Sequence, residues 1–131
     1  MFLVKKLFVA ISFLCFVFFL FPTFAQAQQE NEKTLVAVFV REGCVHCKDE
    51  EEFLTKLSDE LKTITPQFYR LENPENRKHW EELTTRLKIS KVTPITVIGN
   101  TYLIGFTDEQ TTGTDIRRLI EQVQKTQTLT D

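Results

Sequence analysis

An apolar, strand-like run from Leu35 to Val40 leads across a short turn into two cysteines: Gly43-Cys44-Val45-His46-Cys47-Lys48. Beyond them, Phe53, Leu54, Leu57 and Leu61 fall on one helical face. A buried strand that hands over to an amphipathic helix within a few residues must build a β–turn–α unit, with Cys44 and Cys47 at the helix start. Backbone N–H groups and the helix dipole favour a thiolate there. The helical spacing brings two sulfurs close enough to close a disulfide. So short a loop constrains the unfolded chain too little to staple a fold, which argues for a reactive pair.

Residues 1–27 read as a secretory signal. Lys5 and Lys6 form a basic start, and Leu7 to Phe21 is apolar apart from Ser12. Pro22 breaks the run, and Ala25-Gln26-Ala27 offers a small-x-small cleavage site. The apolar run makes roughly 22 Å of helix, short of a hydrocarbon core of about 30 Å. The alternative is an uncleaved anchor from Leu7 to Phe24, the only way this chain is expected to meet a membrane. Cys15 is preceded by Ser12-Phe13-Leu14, which is no lipobox. The expected location is therefore the periplasm or cell envelope, where a disulfide persists.

Eight of the twelve Phe residues leave with that segment. The remaining 104 residues hold two cysteines, both in the motif, and carry fourteen basic and eighteen acidic residues, a net charge of −4. A mildly acidic domain gives no electrostatic footprint for nucleic acid. About 100 residues bury one modest core.

Residues 28–33 read as a flexible leader, residues 34–125 as one domain and residues 126–131 as a polar tail. Thr34 to Val40 predicts a central strand, and the helix from Cys44 reaches about Lys62. Phe68 to Leu71 predicts a short second strand. Asn73-Pro74 is a helix start, with a capping Asn and Pro at the first helical position. Trp80, Leu83 and Leu87 continue that helix. Ile95 to Ile98 and Thr101 to Ile104 are strands joined by Gly99-Asn100. Ile116, Leu119, Ile120 and Val123 mark a last helix capped near Thr114, with fraying from Gln124 onward. The order is β-α-β-α-β-β-α. It implies an α/β fold with a four-stranded mixed sheet, helices on both faces, and a second strand parallel to the first.

These pieces resemble the thioredoxin superfamily. The matching residues are Val38-Phe39-Val40, Cys44-Val45-His46-Cys47-Lys48, Thr93-Pro94-Ile95-Thr96-Val97, and Gly99-Asn100 with Ile104-Gly105-Phe106. The last stretch is most similar to small glutaredoxin-type members. The resemblance implies a thioredoxin-like fold and a cis peptide at Thr93-Pro94 beside the dithiol. It also implies that the backbone before Pro94 pairs with an extended substrate. Thioredoxins proper carry Gly-Pro between the cysteines and a buried acid six residues before the first. Here those places hold Val45-His46 and Val38, so the buried-acid relay does not carry over. His46 in the third place resembles periplasmic Dsb-type oxidases, whose inserted helical domain this chain has no room for.

Cys44, at the exposed helix start, is expected to be the attacking sulfur, and Cys47, one turn in, the resolving one. His46, when protonated, tunes the pair toward the reduced form. One exposed charge contributes about 1 kcal/mol, against roughly 7 kcal/mol between potentials of about −270 and −120 mV. His46 alone therefore does not set the direction, and oxidase, reductase and isomerase stay open. The acids Asp49 to Glu52 read as a solvated helix face in the early turns, where they suit the dipole. His79 reads as a surface or packing residue, and Phe53 and Trp80 as core. A zinc site needs a fourth ligand beside Cys44, Cys47 and His79, and His46 is badly placed to supply it. Covalent haem needs His directly after the second Cys, where Lys48 stands. No metal and no cofactor is expected.

The leading expectation is an exported thiol–disulfide oxidoreductase. Its partners would be protein thiols or disulfides and an envelope redox protein. Glutathione is a further candidate partner, without a clear binding motif. One alternative is soft-metal handling, with the dithiol passing copper to a partner. Another is a non-catalytic module that binds peptides in the groove beside Pro94.

Overall fold

The computed structural model describes residues 33–129. The signal, the anchor alternative, Cys15 and most of the leader lie outside the described residues. Along the chain run β1 (Thr34–Val40), α1 (Val45–Leu61), β2 (Ile64–Arg70), α2 (Pro74–Leu87), β3 (Ile95–Ile98), β4 (Thr101–Ile104) and α3 (Thr112–Thr128). The strands form one mixed sheet in the order β2-β1-β3-β4. β1 pairs with β2 in parallel and with β3 antiparallel, and β3 pairs antiparallel with β4. The expected order and fold class are both present.

β1 is central because both of its faces are apolar. Alternate residues point to opposite sides of a strand. Val36, Val38 and Val40 share one buried layer with Phe53, Leu54 and Leu57 of α1 and with Ile116, Leu119 and Ile120 of α3. Phe39 faces the other layer, where Trp80 and Leu83 of α2 pack with Ile95 and Leu71. The Phe39 and Tyr69 rings stack there with centroids 5.3 Å apart.

Several boundaries depart from expectation. β2 begins at Ile64, four residues before the predicted Phe68, and runs through Pro66. Proline argues against a central strand, but β2 is at the sheet edge, where a missing N–H is tolerated. The last helix starts at Thr112. Its entry is fixed from outside the helix: Asp108 Oδ1 accepts from both the N–H and Oγ1 of Thr111, each at 2.7 Å. Gly113 also lies so near Phe53 that a Cβ would meet its Cζ at 3.0 Å. α3 continues to Thr128 instead of fraying from Gln124, whose Nε2 donates to Thr63 Oγ1 at 3.0 Å and pins the final turns to the α1–β2 loop.

Other local signals hold. Asn73 Oδ1 accepts from the N–H groups of Glu75 and Asn76 at 2.9 and 3.4 Å, and Pro74 follows as the first helical residue. Gly99 in the β3–β4 turn has φ +58°, and a Cβ there would meet Val123 Cγ2 at 2.9 Å. Both α1 and α2 end on a lysine in the left-handed region, Lys62 and Lys88. Among the described residues, no helix is long and apolar enough to cross a membrane.

Candidate active site

β1 delivers the chain to a turn, Arg41-Glu42-Gly43, in which Gly43 takes φ +70°. The Glu42 N–H donates to Glu72 Oε1 at 2.9 Å and ties this turn to the β2–α2 connection. That contact, reinforced by Arg70 and Arg77, holds the Glu72 carboxyl below the usual range. Cys44 follows as the N-cap of α1, with extended backbone angles. Its Sγ accepts from the Cys47 N–H at 3.2 Å, so one of the amides that the first helical turn leaves without a backbone partner points at the sulfur. Cys44 and Cys47 form a disulfide with Cα atoms 5.2 Å apart.

The two sulfurs sit in different surroundings. Cys44 is half-buried at the surface, whereas Cys47 is 1 % exposed and belongs to the main core. Across from Cys44 lies Thr93, with its carbonyl oxygen 3.8 Å and its Oγ1 3.7 Å from Cys44 Sγ. The Thr93–Pro94 peptide is cis, and Pro94 is buried. The surrounding loop is fastened at both ends. Trp80 Nε1 donates to Val92 O at 3.2 Å, and the Gly105 N–H donates to Pro94 O at 2.8 Å. Val45, between the cysteines in sequence, and Val92, next to Thr93, stand 70 % and 42 % exposed. A cleft of about 520 Å³ opens next to Thr93 between Arg41, Trp80 and Lys91.

The candidate residues thus converge: Cys44, Cys47, Thr93 and Pro94 lie together. His46 is on the same helix turn but exposed. His79 is not brought to the site. It lies on the surface of α2, with Nδ1 3.9 Å from Glu82 Oε2. It lines a separate cleft with Phe39 and Tyr69, on the opposite face of the sheet. Among the described residues, no three His, Cys, Asp or Glu side chains converge as a metal site.

One acid departs from the expected solvated face. α1 begins at Val45, so Asp49 to Glu52 occupy its second turn, not its first. Glu50 is fully buried. It accepts a hydrogen bond from Thr96 Oγ1, and its Oε2 has no hydrogen-bond partner among the described residues. Burial raises its pKa from the usual 4.5 to about 7, opposed by the Thr96 bond. Thr96 pairs in register with Val38, the place at which the sequence departs from the buried acid of thioredoxins proper. A carboxyl group therefore enters this layer after all, from the helix instead of the strand. The signal was present in the spacing, since Cys47, Glu50, Leu54 and Leu57 form a single i, i+3, i+7, i+10 stripe.

Chemically, the site presents one sulfur to an outside partner and withholds the other. With Cys44 half-exposed and Cys47 buried, such geometry lets an incoming thiolate reach the Cys44 sulfur, which would leave Cys47 as the departing one.

No family model matches the chain, and no curated protein matches it. Among solved structures, a glutaredoxin from Archaeoglobus fulgidus is similar, with a TM-score of 0.47 and 21% identity over 59% of this chain and 80% of that one. A thioredoxin-like protein from Clostridium perfringens is similar with a TM-score of 0.48 and 19% identity, over 75% of this chain and 91% of its own. The strand order β2-β1-β3-β4, helices on both faces, and a Cys-x-x-Cys helix start facing a cis-proline make this chain thioredoxin-like in fold.

Proposed function

We propose that the chain is an exported thiol–disulfide oxidoreductase that exchanges disulfides with protein thiols through Cys44 and Cys47. The observation that carries this reading is the asymmetry of the pair. Cys44 is reachable at a helix N-terminus beside Thr93 and cis-Pro94, while Cys47 is sealed in the core. In the reducing direction, the Cys44 thiolate attacks a substrate disulfide, and one substrate sulfur leaves with the electron pair. The Cys47 thiolate then attacks Cys44 Sγ, the second substrate sulfur leaves, and two electrons have passed to the substrate. Read in reverse, the same steps oxidise a dithiol. Val45 and Val92 give an apolar margin for an unfolded or extended substrate, and Thr93 and Pro94 form its docking edge. His46 tunes the pair from the solvent side. Export rests on residues 1–27, and an envelope redox protein or glutathione would restore the dithiol or disulfide.

The test is trapping. Cys47→Ala should accumulate mixed disulfides with substrate proteins, and Cys44→Ala should not; equal trapping by the two variants refutes the assignment. Equilibration with a glutathione buffer series then fixes the direction, since a potential near −270 mV marks a reductant and one near −120 mV an oxidant.

A further inference from the structure

The two faces of the sheet are covered unequally. α1 and α3 share the layer over one face, whereas α2 is the one helix over the other among the described residues. α2 lies across Phe39 and Ile95 and stops short of the rows beyond them. Ala37 of β1 pairs in register with Val97 of β3, and Val97 with Tyr102 of β4, so these three share that face. Leu35 and Tyr102 are exposed there, and Ala37 and Val97 are half-buried. Ala37 hollows this surface, because it stands between Leu35 and Phe39 and its methyl group leaves room that a larger side chain would fill. The hollow opens into a cleft of about 500 Å³ between the sheet and one flank of α2. The stacked rings of Phe39 and Tyr69 line it together with Ala37 and Val97. Small-molecule sites span about 300–1,000 Å³ and are mostly apolar with a few polar groups, and this cleft has that make-up.

The polar groups come from α2. His79, Glu82 and Arg86 follow one another at i, i+3 and i+7 and so edge the cleft along one flank of the helix. The Glu82 charge is already answered, by Lys78 at 4.0 Å and by His79 at 3.9 Å. Arg86 stands in the last turn of α2, where a cation also suits the helix dipole. Its guanidinium meets no acid and no hydrogen-bond acceptor among the described residues. An aromatic floor therefore lies beside an unanswered, fork-shaped cation.

We propose that this cleft is a second binding site, which takes a small planar aromatic acid. The ring of the ligand lies against Phe39, Tyr69 and Val97, where offset aromatic contact adds to the burial of apolar surface. Its carboxylate accepts two parallel N–H bonds from the Arg86 guanidinium, a geometry that a lysine could not supply. The site is separate from the disulfide. The cleft beside Thr93 is walled by Arg77, Trp80 and Glu81, on another flank of α2. A bound acid therefore leaves Cys44 open, and the two sites act independently of each other.

The experiment titrates the full-length chain with 2-naphthoate and, separately, with 2-naphthylmethanol, a neutral molecule carrying the same rings. Backbone amide shifts are followed by nuclear magnetic resonance. With the acid, the shifts should saturate and centre on Ala37, Tyr69, Leu83 and Val97. The alcohol should move the same amides with roughly tenfold weaker affinity, as the loss of a charge-assisted contact at a partly wet edge implies. Arg86→Gln should weaken the acid roughly tenfold and leave the alcohol unchanged. Ala37→Leu, which fills the floor, should abolish binding of both. If that core-strand variant does not fold, Arg86→Gln decides alone, since its side chain is exposed. Equal affinity for acid and alcohol, shifts centred elsewhere, or undiminished binding of the acid by Arg86→Gln would overturn the inference. None of these readouts passes through the cysteines, so the proposed exchange reaction stands or falls separately.

Discussion

Replacing Glu50 with Gln should make the protein more stable at neutral and alkaline pH and leave it little changed in acid. The buried carboxyl has its pKa raised from 4.5 to about 7, chiefly by desolvation. Below 4.5 the group is neutral in both folded and unfolded chains and imposes no penalty. Between 4.5 and 7 the unfolded chain ionises while the folded one stays protonated, so stability falls as pH rises. Above 7 both forms are ionised, and the whole penalty persists. At about 1.36 kcal/mol per pKa unit, it amounts to about 3 kcal/mol. Gln does not ionise, and its oxygen still accepts from Thr96 Oγ1. Urea unfolding with the disulfide intact, run across this window for both proteins, isolates the effect as a difference between two curves. With a slope of about 1–2 kcal/mol/M, the gap in midpoints should open by roughly 2 M between acid and alkali. Stability curves that run parallel across the window would refute the reasoning.

Thr96→Val removes the bond that favours the ionised carboxyl, so it should push the Glu50 pKa higher. It should cost about 1–3 kcal/mol at neutral pH and less in acid, read by the same unfolding series. Lys88→Gly relieves a side chain held at φ 56° at the end of α2 and should add about 1 kcal/mol. The melting temperature should rise by about 4–8 °C, and an unchanged or lower value rejects the account.

The elements whose signals are local were legible in the sequence. Asn73-Pro74 fixes the start of α2 because capping and proline geometry act within one turn. Gly99-Asn100 fixes the hairpin for the same reason. The cysteine pair and Thr93-Pro94 were legible as a motif, and the fold brings them into contact across 49 residues of chain. What was missed depends on tertiary position. Pro66 argues against a strand until β2 is known to be an edge. The entry of α3 is set by Asp108 and by the room Gly113 leaves for Phe53, neither of which periodicity reports. Glu50 was hidden inside a run of four acids, Asp49 to Glu52, whose charge suggested a wet surface. Only the 3.6-residue geometry of α1 singles out the member of that run that turns inward.

The two borders of the sheet differ in how they discourage a neighbour. β4 offers four residues, too few to template an added ladder, although Tyr102 and Ile104 leave it partly greasy. β2 is longer, but Pro66 interrupts its donors and Arg70 places a charge at its end. Short length at one border and a proline with a terminal charge at the other thereby hold sheet-to-sheet self-assembly in check, a restraint that the proposed exchange with extended protein chains would call for.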